Sequence, residues 1–600
     1  MKRKIYNIIA CMLTAAAFSL TGCNYLEPLP DGAYTDENIH LYPEIVRGFV
    51  DKAYMNSDMN PNSYTAHRYI YMTAATDEAI YRDEANTLAR FANGDQPVST
   101  LFADNWTNCY TGINYVNRFL KDREGINTRY MVNAQANARL QRELQGSAYG
   151  LRAWFHFTLL RIFGGKGENG ELLGIPLRTE YTDISTIDPK TVERDSFDDC
   201  VAQIIADCDS AMVYLSESNR DYPDDDPQII PVGGSARYGA LDRVTMRTLK
   251  AMTYLLWASP AYNPTGDMSR YEKAAECAAS VITHKIEREG GVLGKFSPTG
   301  GFLWTDPNTP EVIWNSHFAE SSGLETTFYP QEFGGNATVV PTKNLVDRFP
   351  MANGYPITDP RSGYDEDHPF SGRDPRLYAT IYYNGSRVVR NGSDVRYTFE
   401  CATGQKDAPG GTATSPTSYY LKKFLYSAWD PYDTQIETGN HFVMRMRFTQ
   451  VALIFAEASN KVGGPTDNRF GYTAKEVLGW LRARPTSDGR TGIGAAADPY
   501  LDECAASTEK FDALVKNEWR IETCFEGDSF YNIRRWATDV SEINGPLYGT
   551  VITDGGNGNY TYNDVVLRTN NYPSLWIPIP YSEIRKAPSL VQNEGWSKWK

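Results

Sequence analysis

The sequence lacks the short motifs by which many enzyme sites can be read. GxSxG, HExxH and GxxxxGK followed by Ser or Thr are all missing, so hydrolase, zinc-protease and P-loop chemistry have no local signature. There is no CxxC pair, which removes zinc ribbons and thioredoxin-like redox sites. The seven His residues (40, 67, 156, 284, 317, 368, 441) are at least 27 positions apart, so no helix offers two of them to a metal. Beyond the first 22 residues no apolar run reaches 18, and a spanning helix is not expected there. Basic runs are absent as well. The net charge is −15, and the first 22 residues hold three bases and no acid, so the remainder is more acidic still. Such a surface repels polyanions, which sets nucleic acid aside and favours a neutral ligand.

Aromatic residues are plentiful: 39 Tyr, 25 Phe and 12 Trp in 600 residues. A Tyr joins an apolar face to a polar tip, so an excess serves wet binding surfaces as well as cores. Trp154, Trp257 and Trp536 lie in helical apolar patterns and read as core.

The N-terminus carries an address. Lys2-Arg3-Lys4 is followed by a mostly apolar stretch from Ile5 to Leu20, and then by Leu20-Thr21-Gly22-Cys23. This is the arrangement of a signal peptide over residues 1–22, with Cys23 resembling the acylated cysteine of a bacterial lipobox. Several acyl chains on one cysteine would anchor the body stably to a membrane. The other seven mature cysteines (109, 200, 208, 277, 401, 504, 524) are odd in number and irregularly spaced, and most sit in apolar helical contexts. They read as small buried hydrophobes.

Helical periodicity fills the first half. Pro43 to Ser57, Trp106 to Lys121, Ala134 to Phe163, Phe197 to Leu215, Arg243 to Ser259 and Arg270 to Lys285 each carry an i, i+3, i+4 stripe. In the third, Leu144, Ala148, Leu151, Phe155, Leu159 and Ile162 make the stripe while Trp154 and Phe157 lie on other faces, so that helix is expected deep among neighbours. His156, in the same helix, reads as a core residue. Between 292 and 442 the texture turns to Gly, Pro, Asn and short β-like runs, and loops of that length usually carry function. Helices return at Met446 to Val462, Ala474 to Arg484 and Thr508 to Phe525. The expected organisation is a signal peptide (1–22), an N-terminal helical region (23–291), a loop-rich ligand-binding insertion (292–442) and a C-terminal region packing back on the helices (443–600). The paired helices look loosely tetratricopeptide-like, although no clean 34-residue repeat occurs.

Glu518 falls inside the apolar stripe of Phe511, Leu514, Ile521 and Phe525. A carboxylate there must be paired, and Arg534 or Arg535 on the following short helix is the expected partner. Asp224-Asp225-Asp226, between Pro223 and Pro227, reads as a solvated turn, because calcium loops space their ligands. No cofactor is expected, and no motif supports a structural calcium. Among 74 acidic residues no pair stands out for glycoside hydrolysis, and a surface glycosidase stays an open alternative.

Several stretches, in order, resemble the SusD/RagB family of surface glycan-binding lipoproteins from Bacteroidota. They include Cys23-Asn-Tyr-Leu-Glu-Pro, Trp106-Thr-Asn-Cys-Tyr-Thr-Gly-Ile-Asn, and Gly150-Leu-Arg-Ala-Trp-Phe-His-Phe-Thr-Leu-Leu-Arg-Ile-Phe-Gly. Further on come Ala258-Ser-Pro-Ala-Tyr-Asn-Pro, Arg373-Asp-Pro-Arg-Leu, Arg447-Phe-Thr-Gln-Val-Ala-Leu-Ile-Phe-Ala-Glu-Ala, Asn517-Glu-Trp-Arg-Ile-Glu and Ile533-Arg-Arg-Trp. Asp528-Ser529 departs from the pattern, since the family usually has an Arg there. The resemblance implies a mainly α fold with tetratricopeptide-like helix pairs, no catalysis, and a shallow polysaccharide site. It also implies a place on the outside of the outer membrane, with a SusC-like TonB-dependent transporter beneath. The RagB branch implies peptide as the alternative cargo.

The resemblance further implies that ligand residues come from the segment before Trp106 and from the loops of the insertion. In this sequence those are Asp77, Tyr81, Arg82, Phe91 and Asn93, and then Phe328, Tyr329, Gln331, Phe333 and Asn336. Trp429 and Tyr432 are weaker candidates. Sugar rings present apolar C–H faces and hydroxyl edges, and aromatic platforms ringed by amides, Arg and Asp match both.

Overall fold

The computed structural model describes residues 39–57, 67–95, 101–218, 239–289, 309, 311–317, 319–389, 396–425, 438–484, 492–493 and 497–596. The signal segment 1–22, Cys23, Asp224–Asp226, Trp429 and Tyr432 lie outside them. The protein is mainly α. The long helices are α1 (Pro43–Asn56), α2 (Ala103–Leu120), α3 (Ala134–Phe163), α4 (Phe197–Tyr214), α5 (Arg243–Ala258), α6 (Ser269–Glu289), α7 (Phe448–Gly463), α8 (Ala474–Ala483), α9 (Thr508–Glu522) and α10 (Asp528–Trp536).

Their ends follow from local chemistry. The side chain of Asn133 accepts the Ala136 amide ahead of α3, Ser196 accepts that of Asp199 ahead of α4, and Asp242 accepts that of Thr245 ahead of α5. These caps stand where orphan N–H groups need an acceptor. Helix α3 is buried on nearly all sides, and Leu151, Phe155, Leu159 and Leu160 are wholly inaccessible. It lies against α2 so closely that a Cβ on Gly112 would collide with the Phe155 ring, and only glycine fits there. His156 is also inaccessible, and burial, helped by Arg152, pulls its imidazole down to about 3.

Three apolar clusters organise the molecule. One joins α1 to α5 with the C-terminal segment around Trp576 and Trp596. A second joins α5 and α6 to α7, α8 and α9. The third holds the loop-rich middle against residues 70–80 and 521–552. Trp154 belongs to the first cluster, whereas Trp257 and Trp536 are half-buried at its and its neighbour's edges. Six of the seven cysteines are buried and Cys277 is half-buried.

The strands are short and paired in twos. Strand β1 (Ala79–Tyr81), β2 (Val312–Asn315), β3 (Val339–Pro341), β4 (Met444–Arg447), β5 (Gly545–Asp554) and β6 (Tyr560–Asn570) carry the pairings that matter here. β1 runs antiparallel to β3 with Tyr81 opposite Val339, β2 pairs with β4, and β5 pairs with β6 in a long hairpin.

Glu518 is wholly buried, as its place in the apolar stripe required. Its partners differ from expectation. Arg376 donates to Oε2 at 2.7 Å, Arg482 donates to Oε1, and Arg376 also holds Asp374 and Glu522. Arg535 instead grips Glu457 at 2.6 Å, and Arg534 lies 4.0 Å over the Phe530 ring. The reason is one of direction. Helix α10 turns its two arginines toward α7 and toward an aromatic cage, away from Glu518.

Candidate functional site

The two segments singled out as ligand-bearing meet in space. β1 and β3 zip them together, and the Arg82 amide continues the ladder to the Thr338 carbonyl at 3.0 Å. Just beyond the strand, the Arg82 guanidinium donates through Nε to the Asn336 carbonyl at 3.0 Å, and another of its nitrogens donates to the Thr412 carbonyl. One side chain thus ties three stretches of chain, two of them over 250 residues away, at an accessible surface.

The loop after Tyr329 is a tight construction. Residues Gln331–Phe333 form a single 3-10 turn, Gly334 takes a φ of 84° and Ala337 one of 44°. A Cβ at Gly335 would run into the Tyr329 carbonyl, so the turn depends on that glycine. Asp407 holds the start of the turn, accepting the amides of Gln331 at 2.8 Å and Glu332 at 3.0 Å. Burial raises the Asp407 carboxyl to about 6, with the nearby Glu332 carboxylate adding to the shift, while the two amides pull the other way. Asn336 is exposed and steadied by its own amide on the Thr326 carbonyl at 3.0 Å.

Half-buried Tyr81 stacks on Tyr71 with centroids 6.0 Å apart, and Tyr71 rests on buried Phe328 at 5.4 Å. Tyr397, also half-buried, donates its hydroxyl to Glu332. The result is a shallow face on which Tyr81, Arg82, Gln331, Glu332, Asn336 and Tyr397 combine ring edges, amides and one charge of each sign. Such a set can stack on an apolar ring face and exchange hydrogen bonds with hydroxyls.

Five of the sequence candidates are not available on this face. Phe91, Phe328, Tyr329 and Phe333 are between 0% and 2% exposed. Phe91 stacks on Trp596 and Tyr572, and Phe333 meets Tyr329, Tyr382, Tyr397 and Phe399 edge-on. These rings are packing: Phe91 and Phe328 point inward from the short helices Thr87–Ala92 and Gly323–Phe328, and the turn that follows directs Phe333 inward. Asp77 is spent differently. Burial would lift its carboxyl, but the guanidiniums of Arg520 and Arg348 outweigh that and hold it at about 2. It clamps β1 to α9. Asn93 ends the short helix Thr87–Ala92 and is half-buried. Tyr397 and Tyr71 had no sequence signal, since most of their neighbours on this face lie tens to hundreds of positions away, and Glu332 was passed over although it stands beside Gln331.

Comparison with known proteins fits this architecture. A profile described as "SusD family" matches residues 310–596, and one described as "Starch-binding associating with outer membrane" matches residues 24–246. No curated protein matches the chain. A SusD-like protein from Bacteroides fragilis shares 22% identity over 94% of this chain and 98% of its own, with a TM-score of 0.68. A SusD-like carbohydrate-binding protein from the same organism shares 18% over 92% and 99%, with a TM-score of 0.67. Surface glycan-binding protein A from Bacteroides fluxus shares 18% over 92% and 99%, with a TM-score of 0.56. At such identities the likeness is one of fold. The two profiles follow one another along the chain and take up most of it, and the fold agrees from end to end: the chain belongs to the SusD/RagB family.

Proposed function

We propose that this protein binds a polysaccharide or oligosaccharide at the cell surface, leaves it chemically intact, and delivers it to a SusC-like TonB-dependent transporter for uptake. Cys23 carries the lipid that holds it on the outer membrane. The observation that supports this best is the convergence of Tyr81, Arg82, Gln331 and Asn336 on one accessible face through the β1–β3 pairing. The outer-membrane association in the matched profile's description, and the carbohydrate binding in a relative's, point the same way.

A stacked aromatic that removes about 100 Å² from water contributes at most roughly 2.5 kcal/mol, part of which ordering takes back. Few platforms on an open face give millimolar to micromolar binding, of the order RT ln Kd allows. A tethered protein above a transporter tolerates this through effective concentration. The acidic net charge of −15 favours a neutral glycan.

The test uses residues 24–600 in native gels containing plant, fungal and host polysaccharides, with an assay for released reducing ends. Retardation by one class without new reducing ends supports the reading. New reducing ends would make the protein a glycosidase, and no retardation by any polysaccharide would remove glycan as the cargo.

A further inference from the structure

The end of the body where α1 begins carries apolar side chains in water. Ile39 is buried in the first apolar cluster, whereas His40 and Tyr42 are exposed and Leu41 is 66% exposed. His40 lines one surface hollow with Lys121, Asp122 and Arg129. Arg129 in turn donates to the Met131 carbonyl at 3.2 Å and the Val132 carbonyl at 2.9 Å, so the chain around Leu41 and the chain around Val132 border the same hollow. Val132 is 89% exposed. An apolar residue just before a helix cap ordinarily folds against the fourth residue of that helix. Asn133 caps α3, so that fourth residue is Asn137, and its side chain instead accepts the amides of Tyr130 at 2.7 Å and Met131 at 3.0 Å. Nothing in the helix start accounts for an apolar tip at Val132.

Charge at this end runs against that of the molecule. Between residues 118 and 132, Arg118 takes Glu124 at 2.6 Å, which leaves Lys121, Arg123 and Arg129 against Asp122. Arg123 and Arg129 are exposed, and among the described residues no acid pairs with either.

We infer that this end docks on the membrane surface through anionic lipid headgroups, with lipid phosphates against Arg123 and Arg129 and with Leu41 and Val132 entering the headgroup layer. Guanidiniums match phosphate oxygens two at a time, and separate apolar tips flanked by bases suit a soft, anionic interface. With a net charge of −15, most of the remaining surface is repelled by such a layer, so the contact also orients the body. Reach favours the same end. Cys23 precedes Ile39 by sixteen positions, at most about 58 Å of extended chain, and the burial of Ile39 fixes where that tether meets the body. The inference rests on the reading of Cys23 as the lipid anchor, and it is independent of the cargo.

Vesicle sedimentation tests it with residues 24–600, which carry no acyl chain, on phosphatidylcholine alone and on phosphatidylcholine with a third phosphatidylglycerol. The bound fraction is expected to be at least tenfold higher on the mixed vesicles and to fall with added salt. Hydrogen exchange in peptides spanning 121–132 is expected to slow on the same vesicles. Equal binding to both vesicles would overturn the proposal, and so would protection confined to another part of the chain. Protection of 121–132 in host membranes but never on vesicles would name a protein partner and overturn it as well. Arg123→Glu combined with Arg129→Glu is expected to lower binding to the mixed vesicles at least tenfold, and Val132→Asp at least threefold, at unchanged melting temperatures; either variant binding at the wild-type level would sink the assignment. Should a variant melt early, the vesicle comparison on the unaltered protein decides alone. The mass of the native chain reads acylation of Cys23 separately, so a failed anchor and a failed docking face are told apart.

Discussion

The helical frame and the loop-built face handle charge in opposite ways. In the frame, several buried acids are held on both oxygens by arginines. Glu518 is held by Arg376 and Arg482, Glu457 takes Arg535 on both oxygens, and Asp207 takes Arg152 on both at 2.6 and 2.9 Å. Such groups have nothing left to offer a ligand, and each pair locks two distant elements. On the face between β1 and residues 331–336, the charged and amide groups spend only part of their hydrogen-bonding capacity on backbone carbonyls. The same residue types therefore do different work, and the number of lone pairs and protons left over decides which.

Predictions sharpen this contrast, from the largest effect down. Glu518→Ala takes one carboxylate from two buried guanidiniums, which keep Asp374, Glu522 and Asp498, and is expected to cost about 3 kcal/mol in denaturant unfolding, the low end for breaking a buried pair. A loss under 1 kcal/mol would mean that the network is not holding the frame. Phe333→Ala opens a cavity under the face and is expected to cost about 3 kcal/mol, as buried aromatic truncations do. An unchanged unfolding midpoint would return Phe333 to the list of ligand residues.

Arg82→Ala is expected to weaken glycan binding about tenfold, worth about 1.4 kcal/mol, with the unfolding midpoint held. Isothermal titration reads the first and denaturant unfolding the second. Lost stability with intact affinity would make Arg82 part of the frame. The smallest effect is on pH. Asp407 titrates near 6 when folded, above its ordinary 3.8, so its charged form is disfavoured in the fold. The penalty is full above pH 6 and relieved as pH falls toward 3.8. Asp77 runs the other way: its stabilisation is full above 3.8 and lost as pH falls toward 2. Wild type is therefore expected to gain stability against Asp407→Asn between pH 7 and pH 4, read as the difference in their melting temperatures, and a flat difference would show that Asp407 does not titrate there.

Much of the frame was legible. Helix α3 runs from Ala134 to Phe163 as its pattern predicts, because a capping Asn133 and Gly164 bound an apolar repeat that needs no distant knowledge. The burial of Glu518 was legible for the same reason. Its partners were not, since Arg376 lies 142 positions away while Arg534 and Arg535 lie close in sequence and point elsewhere.

The site was legible as two segments and not as side chains. Residues 76–95 and 321–339 are joined through β1 and β3, yet Phe328, Tyr329 and Phe333 turn inward while Gln331 and Asn336 stay at or near the surface. In a helix or strand a fixed period assigns each side chain to a face. In the turn 329–337 the direction of each residue depends on positive φ values and on Asp407, more than 70 positions away, catching two amides.

By itself, then, the sequence determined a mainly helical frame, its caps and its family, all properties carried by neighbours a few residues apart. Only the tertiary structure decided which aromatics are core and which arginines meet which acids. Those depend on contacts between residues far apart in the chain, where no local period constrains direction.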